Sequence, residues 1–205
     1  MKTCWFFGDS FTRGDNCHKG DVYYEMTYTN GYKRWTEIVS EHLNGIEKNC
    51  AWGGNSNQHI LHELICNLIN YKEGDWVIVG DTRPCRVMNF EEGEVRNTIS
   101  DSLRGYTKGN NESILNYIVD EIIPNEKEYE IYYQKMYISL LEFLKHKNIN
   151  TLFWKHTDFW SPTFKLETIA SDTNGKLIDG HYSWNAHKRK AEIIINRISN
   201  PIKLL

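Results

Sequence analysis

Several features are scarce in this sequence, and each scarcity closes off a class of protein. No apolar run approaches the roughly 20 residues that a membrane-spanning helix needs, and Met1-Lys2 is followed by only about five apolar residues, too few for the centre of a secretory signal. The expectation is therefore a soluble, cytoplasmic chain. Charge of one sign is scarce as well: 24 Lys and Arg stand against 27 Asp and Glu, a net charge of -3. That imbalance is too mild to require nucleic acid or an anionic membrane as partner. The five cysteines, Cys4, Cys17, Cys50, Cys66 and Cys85, are odd in number and lack CxxC spacing. This argues against both a disulfide framework and a zinc ribbon, and points to a reducing compartment. No stretch rich in glycine, proline or serine divides the 205 residues, so a single domain over 1–205 is expected.

What the chain does contain is an alternation of two patterns. Thr3 to Phe7, "DWVIVG" (Asp75 to Gly80) and "NTLFWKH" (Asn150 to His156) are short apolar runs bounded by turn residues, which read as buried strands. Between them, "RWTEIVSEHL" sets Trp35, Ile38, Val39 and Leu43 on one helical face, and "NQHILHELICNLI" does the same with Ile60, Leu61, Leu64, Ile65 and Leu68. Strand and helix in alternation imply a parallel sheet covered on both sides. The stretch from Asn89 to Ser113 breaks the alternation: polar, glycine-punctuated and without clear period, it reads as an excursion or lid. Beyond it come "ILNYIVDEII", stopped by Pro124, a long helix from about Glu126 to Lys147, and a closing helix "AHKRKAEIIINRI".

One stretch raises a chemical question. In "CWFFGDSFTRG" a buried-looking strand runs straight into Gly8, Asp9 and Ser10. A helix cap or polar turn is the plain reading of such residues. The alternative is a nucleophile, which needs a base and a group to orient that base. "LIDGHYSWNAH" offers both, Asp179 and His181, in what reads as a loop after the last strand of the sheet. Loops after the strands of a parallel sheet meet at one edge, where open α/β sheets place their sites. Two further segments fall where an oxyanion hole is wanted. "NCAWGGNSN" is a glycine turn whose Gly54 amide can face a developing negative charge, and "VGDTRPCR" leaves its strand with Thr82, Arg83 and Arg86. Arg86 suits either a substrate carboxylate or phosphate, or an ion pair with Asp81 or Glu91. His59 and His62 have a spacing that can hold a metal, but solvent exposure explains them without one, and "CHKGD" (Cys17 to Asp21) is equally weak.

Taken in order, these blocks resemble the SGNH hydrolase superfamily of GDSL-like esterases. Gly8-Asp9-Ser10 with Gly14 is similar to its first block, and Asn49 followed by Gly54 to its second. Asp179 and His181, with His187 behind them, resemble its last. The third block usually reads G-x-N-D. Here Gly80, Thr82 and Arg86 are similar instead to the G-x-T-x-x-x-R of a variant branch common in bacteriophage genomes, and Tyr182 stands where the family has proline.

The resemblance implies a three-layer α/β/α sandwich, flavodoxin-like, around a parallel sheet of about five strands. It further implies an acyl-enzyme mechanism with Ser10 as nucleophile, His181 as base and Asp179 as its orienting acid. The oxyanion would rest on the amides of Ser10 and Gly54 and on Thr82, or on Asn55 or Asn57 in its place, with Asn57 and Arg86 touching substrate. No metal or organic cofactor is implied. The expected substrate is a small acyl ester, acetyl above all, on a carbohydrate. A catalytically impaired carbohydrate-binding module, an acyltransferase and a lipid esterase are the alternatives.

Overall fold

The computed structural model describes residues 1–14, 33–83, 86–91, 94–98, 125–156, 169–171, 177–182 and 184–200, by backbone alone for 87–98, 169–182 and 184–186. The strand β1 (Thr3–Phe7), a short helix α1 (Ser10–Arg13), α2 (Trp35–His42) and β2 (Ile46–Asn49) open the fold. They are followed by α3 (Asn57–Cys66), β3 (Trp76–Gly80), β4 (Val87–Glu91) and β5 (Glu94–Thr98). The chain continues through α4 (Glu126–Lys145), β6 (Asn150–Trp154), β7 (Ile169–Ser171), β8 (Leu177–Tyr182) and α5 (Trp184–Ser199). The proposed helix ending at Pro124 lies outside the described residues.

Four strands form one parallel sheet in the order β2-β1-β3-β6. Successive side chains of a strand point to opposite faces, and both faces here are apolar. Cys4, Phe6 and Ile78 pack against Trp35 and Val39 of α2 and Ala191 and Ile194 of α5. Trp5, Phe7, Val77 and Val79 pack against Ile60 and Leu64 of α3 and Tyr137, Leu141 and Leu144 of α4. The result is the expected three-layer α/β/α arrangement, with four sheet strands among the described residues in place of about five.

The fifth strand, expected just before Asp179, differs in kind. Leu177–Tyr182 pairs antiparallel with Ile169–Ser171 in a separate ribbon, so Asp179 and His181 lie within a strand and not in a loop. Ile178 and Tyr182 are residue types that favour a strand. The excursion is also more regular than its composition implies. Its first part is an antiparallel ribbon, Val87–Glu91 with Glu94–Thr98, in which strand pairing overrides a polar composition; the rest lies outside the described residues.

Two contacts fix the sheet at its two ends. At the amino ends of the strands, the buried carboxylate of Asp75 accepts hydrogen bonds from Thr3 N at 2.8 Å, Trp5 Nε1 at 3.1 Å and Lys72 N at 3.1 Å. It thereby ties the start of β1 to the start of β3. At the carboxyl ends, the Trp154 indole lies flat against Gly80, where an added Cβ would sit 2.0 Å from the ring. Trp154 also meets Trp35 edge to face at 6.1 Å, and the Lys190 ammonium is enclosed between them, 3.5 Å from one ring centre and 4.6 Å from the other. Burial pushes the Lys190 amine well below the usual lysine range, against the pull of the Asp9 charge.

Among the described residues, no helix is long and apolar enough to cross a membrane.

Asp75→Ala strands three donors in a buried position. Its expected cost is about 2–4 kcal/mol, read as a lowered urea midpoint. Asp75 lies at the edge of the sheet away from the loops after the strands, so any turnover by the folded variant should match the parent.

Candidate functional site

After β1 the chain crosses to β2 on one side, and β3 then pairs on the other side of β1. This reversal opens a crevice outside the carboxyl ends of the strands, the place where doubly wound sheets bind their ligands. Four loops converge there: residues 8–10 after β1, 50–56 after β2, 81–83 after β3, and 155–156 after β6.

The first loop is built around Asp9. Asp9 is the N-cap of α1, accepting from Phe11 N at 3.0 Å, and Gly14 closes the helix in the left-handed conformation at φ 82°. Its other oxygen accepts from Thr82 Oγ1 at 3.0 Å and Arg86 Nη1 at 2.8 Å, and Arg86 Nη1 also donates to Thr82 Oγ1 at 2.7 Å. Arg86 thus pairs with Asp9, and not with Asp81. The carboxylate is 4% exposed, and burial of such a charge is tolerable because cation and hydroxyl both face it.

Ser10 follows directly and is buried. Among the described residues neither its hydroxyl nor its N–H has a hydrogen-bond partner. The second loop docks alongside: Trp52 N and Asn55 Nδ2 both donate to Gly8 O, at 3.4 and 2.9 Å. Gly54 has φ 70°, as its turn requires. Its N–H also donates to no described group. Two unengaged amides and a hydroxyl therefore lie in adjoining loops.

Thr82 and Asn57 are engaged within the protein. The one proton of the Thr82 hydroxyl goes to Asp9, and Thr82 N donates to Asn57 Oδ1 at 3.0 Å. Neither group is left to face an oxyanion, and Thr82 instead joins β3 to the Asp9 loop. Asn57, expected to touch substrate, is 1% exposed. Its Nδ2 donates to Thr82 O at 2.7 Å and its Oδ1 also accepts from Tyr137 OH at 3.1 Å. A primary amide opposite a backbone amide pairs with both its N–H and its C=O, which makes Asn57 a clamp on the β3 loop. Asn55, the other candidate donor, is turned onto Gly8.

Asp179 and His181 are described by backbone only, in β8, and β8 runs close to α1, the helix that begins at Ser10. His187 is fully buried, and its Nδ1 accepts from Trp35 N at 3.5 Å, holding the start of α2. Of the two histidines expected to be solvated, His62 is exposed, but His59 is buried beside Glu63 at 3.5 Å, and burial lowers its pKa. Among the described residues no group of side chains is arranged to hold a metal ion. Cys17 to Asp21 lie outside them.

A pair that the sequence reading passed over stands at the same edge. Asp81, one residue past β3, is 2% exposed and accepts from both His156 N and His156 Nδ1, the latter at 3.0 Å; Gln134 Nε2 approaches its other oxygen at 3.4 Å. Asp81 and His156, with Asp9, Phe11, Thr82 and Arg86, line a cleft beside Ser10. The available signal was positional: Asp81 and His156 stand one and two residues past the ends of strands of a parallel sheet.

No family profile matches the sequence, and no curated protein sequence matches it. Solved structures do resemble the chain. One is a lipolytic protein of the G-D-S-L family from Veillonella parvula, with TM-score 0.43 and 14% identity over 98% of this chain and 100% of that one. Another is Est24, a carbohydrate acetylesterase from Sinorhizobium meliloti, with TM-score 0.41 and 14% identity over 98% and 100%. A G-D-S-L family protein from Desulfitobacterium hafniense gives 0.37 and 13% over 96% and 99%.

If Thr82 holds the Asp9–Arg86 contact, Thr82→Val should lower stability by about 1–3 kcal/mol, and Thr82→Ser should restore most of it. Chemical denaturation of the three proteins checks this.

Proposed function

We propose that this chain is a serine ester hydrolase acting through an acyl-enzyme. The observation that carries the reading is the placement of Ser10. It stands at the switch point of the sheet with its hydroxyl and amide unengaged among the described residues, beside the Gly54 amide, which likewise has no described partner. In this reading Ser10 Oγ attacks the acyl carbon while His181 takes its proton, and Asp179 orients the imidazole. The amides of Ser10 and Gly54 stabilise the oxyanion. Collapse of the tetrahedral intermediate expels the alcohol, which receives the proton from His181. Water then attacks the acyl-enzyme with His181 again as base, freeing the acid and Ser10. Thr82 acts by position, holding Asp9 and so the loop that carries the nucleophile.

The substrate proposed is a small acyl group, acetyl above all, on a carbohydrate. The cleft beside Ser10 supports this in part: Asp9, Asp81, Thr82, Arg86 and His156 line it together with Phe11 and Trp154, and the polar members suit a hydroxylated alcohol portion.

The test is hydrolysis of p-nitrophenyl acetate, butyrate and octanoate by the parent protein, Ser10→Ala and His181→Ala. Activity should be highest on acetate and fall about 10⁴-fold or more in both variants. If wild type and variants behave alike and Ser10 also resists a fluorophosphonate probe, the hydrolase reading fails and a binding module replaces it. Transfer of the acetyl group to an added sugar, in preference to water, would identify an acyltransferase.

A further inference from the structure

Arg86 is held from one side only. Among the described residues its Nη1 meets Asp9 and Thr82, while Nη2 makes no hydrogen bond and Nε is buried without an acceptor. A guanidinium offers its donors in a planar fork, and the Nε–Nη2 edge is one of the faces that takes a carboxylate or phosphate with two parallel hydrogen bonds. A buried donor left without a partner is destabilising. A ligand oxygen placed against that edge would recover this cost.

His156 supplies a second donor in the same cleft. A carboxylate can only accept, so the Asp81 contact at 3.0 Å requires the proton on His156 Nδ1 and leaves Nε2 as the ring's remaining polar atom. The side chain is 16% exposed, whereas Asp81 behind it is 2% exposed. Nε2 is a donor to an anion when the ring carries both protons. The two carboxylates lining the cleft are each already faced by a cation or imidazole: Asp9 by Arg86, and Asp81 by His156.

We propose that this cleft is an anion subsite, in which the unpaired Nε–Nη2 edge of Arg86 and the Asp81-backed imidazole of His156 bind a carboxylate or phosphate carried by the substrate. The proposal deepens the ester-hydrolase reading and rests on it for the word substrate: the ester would be an acidic one, such as an acylated uronic acid or sugar phosphate. Asp81 and Asp9 are positioning residues for the two donors.

Binding can be measured without turnover, by calorimetric titration of the wild-type protein with methyl glucuronide, methyl glucoside and inorganic phosphate. Saturable binding of glucuronide or phosphate at millimolar concentration or below is expected, with the neutral glucoside clearly weaker. Arg86→Lys and His156→Gln should each weaken the anion about tenfold or more, the scale of a lost charged hydrogen bond. Circular dichroism shows whether Arg86→Lys still folds, and His156→Gln carries the test if it does not. Tighter binding of glucuronide assigns the site to a carboxylate, and tighter binding of phosphate to a phosphoester. The subsite is overturned if neither anion binds, if the glucoside binds as well as the glucuronide, or if the folded variants bind as the parent does. A protein that binds anions but leaves every ester intact retains the subsite and loses the hydrolase reading.

Discussion

The carboxyl edge of this fold depends on one buried carboxylate. Asp9 caps the helix that starts at Ser10, accepts the Thr82 hydroxyl from the end of β3, and receives Arg86 from beyond it. Each bond joins a different segment, so the loops after β1 and β3 are located relative to each other by a single side chain. A charge in so dry a place is costly when its partners are missing. The arrangement is therefore held together as a set: Arg86 neutralises Asp9, Thr82 bridges the two, and Asn57 holds Thr82 by its backbone.

The layers behind that edge serve to hold it still. Gly80 permits the Trp154 ring to lie against β3, and Trp154 with Trp35 closes the face beneath α5. Lys190 extends from α5 into this aromatic corner, where its ammonium faces two indole rings. On the other face, Tyr137 of α4 reaches through the core to bond Asn57 O at 2.8 Å and its Oδ1. Burial raises the Tyr137 phenol well above its ordinary range, so it remains a neutral donor there. Packing on both faces thus ends in polar contacts that position the loops.

Two kinds of polar group meet at the edge, and the difference between them gives the site its character. Asn57, Thr82 and Asp9 direct their polar atoms inward and act as scaffold. Ser10, the Gly54 amide, the Nε–Nη2 edge of Arg86 and His156 Nε2 have no partner among the described residues. A rigid scaffold with a few unengaged donors is what preorganised binding of a developing or resident negative charge requires.

The sequence by itself determined the layered architecture, because its evidence is local. Alternating short apolar runs and amphipathic helices specify a two-sided sheet, and the bounds of β1, β3, β6 and the helix from Glu126 follow from period and flanking residues. It also marked Ser10 and Gly54, since a serine at a strand end and a glycine turn are visible in order along the chain. Partnership was decided only by the tertiary structure. Asp9 is 77 residues from Arg86 and Asp81 is 75 from His156; no periodicity connects residues so far apart. Thr82 and Asn57 read as ligand-facing for the same reason: type and position were legible, but the direction of a side chain is set by what packs against it. The ribbon of β7 and β8 was hidden likewise, because strand pairing is settled by a partner elsewhere in the chain and not by the residues of one strand alone.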